Sequence, residues 1–109
     1  MRSLRMFIFV YITNPSEEVA EQIARSLLQQ RLIACANLLP IKSMYHWEGN
    51  IENSQEVVLI AKTTEDHYPS ICRWIAEQHP YQVPCVARLP VELNTPFGQW
   101  IQAQTHQTT

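Results

Sequence analysis

The chain predicts an α+β sandwich, a four-stranded antiparallel sheet with two helices on one face and a further helix at the C-terminus. Three features predict it. Runs rich in β-branched and aromatic residues alternate with stretches of helical apolar spacing. The two longest strand-like runs are adjacent and joined by Glu48-Gly49-Asn50, a turn of hairpin type. The resulting order is βαββαβ, and right-handed crossovers close it in few ways.

Each element has its own justification. Residues 5–12 are apolar and aromatic almost throughout, as in a strand buried on both faces. Asn14-Pro15-Ser16-Glu17 then starts a helix: Asn14 as cap, Pro15 at the first helical position, and Glu17 completing a capping-box-like pair. Val19, Ala20, Ile23, Ala24, Leu27 and Leu28 form its apolar stripe. Residues 33–46 form a long strand interrupted by Pro40, which marks an edge or a bulge. Residues 51–63 return antiparallel to it. A helix over 66–78 follows, capped by Asp66, with Pro69 in its first turn and Tyr68, Ile71, Cys72 and Ile75 on one face. His79-Pro80 ends it. Gln82 to Leu89 is the fourth strand, Pro96 to Gln104 a short helix, and 105–109 a frayed polar tail. This is a ferredoxin-like split βαβ sandwich in one domain, 1–109.

The two crossover helices leave one sheet face bare. Met6, Ile8, Val10 or their neighbours, with Val57 and Leu59, make that face too apolar for water. The long hairpin and the terminal helix of neighbouring subunits are its natural cover, so an oligomer is expected. The charged fraction, 17%, is below the usual ~25% and agrees with a surface covered by another subunit.

Composition also excludes functions. A net charge of −2 gives no electrostatic footprint for nucleic acid. Phe7, Phe9 and Tyr11 could stack bases, but Ser54-Gln55-Glu56-Val57-Val58-Leu59 offers no aromatic partner on the third strand. Two glycines, Gly49 and Gly98, cannot build a glycine-rich phosphate loop. The seven-residue apolar run from Met6 to Ile12 lacks a cleavage site and is read as a strand, and no stretch is long enough to span a membrane. Three cysteines without close spacing fit a reducing compartment, so a cytoplasmic protein is expected.

For site chemistry the informative residues are Tyr45-His46-Trp47-Glu48-Gly49 and His79-Pro80-Tyr81, each at the end of an element. Cys35 and Cys85 fall on opposite edges of the sheet and meet only across a subunit interface. Cys72 reads as core. No nucleophile–base pair can be identified, so no enzyme is expected. Histidines 46, 67, 79 and 106 include no pair at metal-ligand spacing. His79 stands between a helix-capping role and a functional one. Tyr45, Trp47, Lys62 and Tyr81, with His79, are the candidates for lining a cleft between subunits.

Ala34-Cys35-Ala36-Asn37-Leu38-Leu39-Pro40, Tyr45-His46-Trp47-Glu48-Gly49, Glu56-Val57 with Lys62-Thr63, His79-Pro80-Tyr81, Leu89-Pro90-Val91 and Trp100 together resemble the divalent-cation tolerance CutA family. The likeness runs from about residue 7 to 102. It implies a ferredoxin-like homotrimer resembling PII signalling proteins, cytoplasmic and associated with tolerance to copper and other divalent cations. Proposed copper-binding members carry a cysteine and a second histidine where this chain has Ile12 and Gln78. Glutamate often follows the fourth-strand proline, where this chain has Cys85 after Pro84. That exchange places a soft sulfur where a hard oxygen would be and favours Cu(I). His79, Cys85 and Cys35 are therefore the candidate metal ligands, Cys35 from another subunit. A small effector bound in the intersubunit cleft, such as an anion near Lys62, is the alternative.

Overall fold

The strands form one antiparallel sheet in the order β2-β3-β1-β4, from β1 (Phe7–Asn14), β2 (Cys35–Trp47), β3 (Asn50–Thr64) and β4 (Val86–Val91). The crossover helices are α1 (Glu17–Gln29) and α2 (Tyr68–Gln78), and α3 (Thr95–Thr105) follows β4. This computed structural model describes residues 7–106. The predicted fold class is the one observed.

Side-chain alternation divides β1 cleanly. Ile8, Val10 and Ile12 are fully buried and pack with Ile23, Leu27, Leu59, Ile71 and Ile75 beneath the helices. Burying each such side chain contributes about 1.5–3 kcal/mol, so this layer holds the fold. The expectation that Ile8, Val10, Val57 and Leu59 face the bare side is corrected. Register pairs Val10 with Ala61 and Ile12 with Leu59, which puts all of them on the helix side. Their neighbours Phe7, Phe9 and Tyr11 point the other way and are half-buried. Met6 lies outside the described residues.

The chain covers part of that second face itself. A Cβ added at Gly98 of α3 would sit 2.7 Å from Phe7 Cζ, so the helix approaches this closely only with glycine there. Ile101 and Thr105 are buried in the same contact layer. Thr105 was expected in a frayed tail; its hydroxyl donates to the Ile101 carbonyl at 2.9 Å and it closes the helix. Residues 107–109 lie outside the described residues.

Local corrections follow from hydrogen bonding. Ser16, not Asn14, caps α1, its Oγ accepting the Val19 amide at 3.2 Å. Asn14 is the buried last residue of β1. Asp66 falls in a short 3₁₀ turn, Glu65–His67, ahead of α2 and does not cap it. At the end of α1, Arg31 takes a left-handed conformation (φ 61°), and the Arg31 and Leu32 amides bond back to Leu28 and Leu27. Arg31 Nη1 also donates to the Gln104 carbonyl at 3.0 Å, tying α1 to the end of α3.

β4 begins at Val86 and runs through Pro90 to Val91, later than Gln82 to Leu89. It tolerates Pro90 because it is an edge strand. Of the displaced residues, Gln82, Val83 and Cys85 line a cleft instead.

Candidate functional site

That cleft has a volume of about 580 Å³ and lies between the hairpin and the segment leading into β4. The hairpin turns tightly at Glu48 and Gly49, both with positive φ (50° and 82°), between the paired Trp47 and Asn50. Strict alternation then puts Tyr45 and Trp47 of β2 on the same face as Ser54 and Glu56 of β3. Tyr81, Val83 and Cys85 form the opposite wall, and Thr13 and Pro15 lie at the end of β1.

A hydrogen-bonded chain holds the second wall. His79 ends α2, its amide bonded to the Ile75 carbonyl, and turns its ring towards β1. The Tyr81 amide donates to Nδ1 at 3.1 Å, so the proton of the neutral ring is on Nε2. Nε2–H faces the Thr13 carbonyl and Asn14 Oδ1, both at 3.0 Å. Asn14 is fixed in turn by Nδ2–H donation to the Ile12 and Val57 carbonyls, both at 3.1 Å. Burial pushes the His79 pKa below its ordinary value, against smaller opposing effects of the Thr13 carbonyl and Glu56. Tyr81 then reaches across the cleft, its hydroxyl donating to Glu56 Oε2 at 2.5 Å. Burial, and next the Glu56 carboxylate, raise the Tyr81 phenol far above its ordinary range. On the hairpin side the Tyr45 and Ser54 hydroxyls are 3.3 Å apart, within hydrogen-bonding distance.

The candidate residues therefore divide. Tyr45, Trp47, Tyr81 and Cys85 line one cavity, with His79 bracing it from behind. Lys62 does not join them. It lies six residues along β3 from Glu56, about 20 Å at the strand rise, with its ammonium over Phe9 (5.3 Å) and Phe97 (5.5 Å). Cys35 is paired with Lys62 at that far end and is not brought near Cys85. All three cysteines are free thiols, and Cys85 is exposed. Among the described residues no group of three or more His, Cys, Asp or Glu side chains comes together to hold a metal.

Residues 8–104 match the CutA1 divalent ion tolerance protein family. The chain belongs to that family. It is 41% identical over 97 residues to the divalent-cation tolerance protein CutA of Archaeoglobus fulgidus, spanning 88% of this chain and 95% of that protein. It is likewise 41% identical over 101 residues to human protein CutA, covering 91% of this chain but only 56% of the longer human protein. Of the solved structures, the periplasmic divalent cation tolerance protein CutA of A. fulgidus superposes with a TM-score of 0.90 at 39% identity, over 93% of this chain and all of that one. CutA1 of Pyrococcus horikoshii superposes at 0.88 and 42% identity, over 92% and 99%. Among the described residues no helix is long and apolar enough to cross a membrane.

Within the CutA1 frame, Ile12 is a fully buried core residue and Gln78 is exposed in the last turn of α2. Sequence reasoning missed Thr13, Asn14 and the site role of Glu56. Glu56 carries little signal in the sequence: on its face of β3 it continues the polar series Asn50, Glu52 and Ser54 ahead of Val58 and Ile60. Asn14 could not be found either, because in sequence it reads as a helix cap and its contact with His79 joins residues 65 positions apart.

Proposed function

We propose that this CutA1-family protein acts in divalent-cation tolerance as a cytoplasmic homotrimer, binding copper or another divalent cation at the cleft in response to metal ions. The observation that carries this reading is the pairing of an exposed thiol, Cys85, with the Glu56 carboxylate on one cavity. Sulfur favours Cu(I), and the carboxylate and Tyr81 oxygen suit a harder divalent ion. His79 ligates only by giving up its bonds to Tyr81 and Thr13, so its part in the proposal is to hold the wall. Cys35 would complete a coordination sphere from another subunit. Exposed Met44, Tyr45, Trp47 and Ile51 on the hairpin support the trimer. Three free cysteines agree with a reducing compartment.

Calorimetric titration of the reduced, metal-free protein with Cu(I) and Cu(II), with its mass followed by light scattering, tests the proposal. Saturable binding by a trimer, weakened by about tenfold or more (~1.4 kcal/mol) in both Cys85→Ser and Glu56→Gln, is expected. A trimer that binds neither ion overturns the metal reading.

A second reading is favoured by the size and lining of the cleft. At about 580 Å³ it lies within the range of small-molecule sites, and Tyr45, Trp47 and Tyr81 contribute three aromatic side chains to its lining. In that reading the protein is a PII-like signalling or scaffold trimer that holds a small effector.

A further inference from the structure

The cleft has a charge and a surface chemistry that select among small effectors. Three aromatic residues, Tyr45, Trp47 and Tyr81, line one cavity. Its lining includes one carboxylate, Glu56, and no lysine, arginine or histidine. Glu52 adds a second carboxylate on the same hairpin face, directly opposite Tyr45. The nearest expected cation, Lys62, is held at the other end of β3 by two aromatic rings.

The hydroxyls are committed elsewhere. Tyr81 donates to Glu56, and Tyr45 pairs with Ser54. What Tyr45 and Tyr81 have left for an occupant is ring surface and phenol lone pairs, and Trp47 offers its ring with one indole N–H. A ring face carries negative potential, which attracts a cation that has shed its water, and a neighbouring carboxylate adds to that attraction. An anion meets the opposite field. An alkylated ammonium matches such a lining better than a primary amine, because it needs ring contact and no hydrogen-bond acceptors.

On the reading that this cleft holds a small effector, we propose that the effector is an organic cation of the quaternary or alkylated ammonium class, seated against Tyr45, Trp47 and Tyr81 beside Glu56. The rings supply contact and the carboxylate supplies the counter-charge.

Choline chloride and its uncharged isostere 3,3-dimethylbutan-1-ol are titrated in parallel into the full, metal-free chain, followed by calorimetry. Choline is expected to saturate a single site per chain and to bind about tenfold or more tighter than the alcohol, the scale of a desolvated cation–π and ion-pair contribution. Glu56→Gln and Trp47→Ala are each expected to lower choline affinity by about tenfold, with Trp47→Phe retaining most of it. Equal binding of the alcohol, or the absence of saturable choline binding, overturns the inference. Both of those comparisons use the unmutated chain, so neither depends on a variant that folds. Copper titration of the same sample separates the readings: copper binding without choline binding defeats this inference alone, and choline binding without copper defeats the metal proposal alone.

Discussion

One strand, β3, passes through two different environments. Val58 to Thr64 lies over the body of the fold, with Leu59 and Ala61 fully buried, whereas Asn50 to Asn53 is exposed at every position. Both halves belong to the same unbroken ladder with β2, from Cys35–Lys62 to Trp47–Asn50. Their second edges differ: Val57 to Thr64 also pairs with β1, whereas Asn50 to Glu56 pairs with β2 alone. They differ also in what lies beneath, since the core residues of α1 and α2 pack with Leu59 and Ala61 of the first half. At about 3.3 Å per residue β2 is about 43 Å long, far more than two helices of 13 and 11 residues can floor. The ladder gives the arm its shape, and burial gives the body its stability.

The largest expected effect breaks the buried half. Leu59 is fully buried between β1 and the helices, so Leu59→Ala should destabilise the fold by about 2–5 kcal/mol. Urea denaturation followed by circular dichroism measures this. A loss under 1 kcal/mol would mean that the body does not carry the stability assigned to it.

An intermediate effect is expected at the seam, where His79 ties the segment before β4 to the end of β1. His79→Ala removes the acceptor of the Tyr81 amide and the donor to Thr13 and Asn14, at a cost of about 1–3 kcal/mol near neutral pH. The pH dependence has a definite sign. Unfolded His79 takes up a proton as pH falls through 6.5, while burial holds the folded ring neutral to lower pH. Its contribution is complete above pH 6.5 and is lost as pH falls from there through the lower folded value. Protonation would also fill Nδ1 and expel the Tyr81 amide. The melting temperature of the native chain should therefore fall more steeply between pH 7 and 5 than that of His79→Ala, and parallel curves would sink the latch.

The same contrast separates what could be read in the sequence from what could not. The body was legible, because its elements are written in local periodicity: the α1 stripe Val19 to Leu28 and the β-rich run of β1 each declare a buried surface. The hairpin was legible from Glu48-Gly49. Which side of β1 faces the helices was not, since both parities are apolar and only pairing partners decide between them. The cleft was half legible. Its aromatics sit at element ends, but the Tyr81–Glu56 and His79–Asn14 contacts join residues 25 and 65 positions apart. Within the subunit Lys62 lies about 20 Å along β3 from Glu56, a separation that the Lys62-Thr63 motif does not reveal.

The smallest expected effect on the fold concerns the arm, and it is the one that tests why the arm exists. Met44 and Ile51 are 68% and 69% exposed, on the hairpin face opposite the cleft. They bury nothing within the subunit, so Met44→Lys with Ile51→Lys should change subunit stability by no more than about 0.5 kcal/mol. In a trimer built on the hairpin the same charges would be forced into an apolar contact, and desolvating them unpaired costs several kcal/mol. Light scattering of the double variant should then report dissociated subunits whose circular dichroism is unchanged. Persistence of the trimer would mean that the arm is covered on its other face, by Tyr45 and Trp47. In that case the cleft and the interface are one surface, and Trp47→Ala should disturb assembly and ligand binding together.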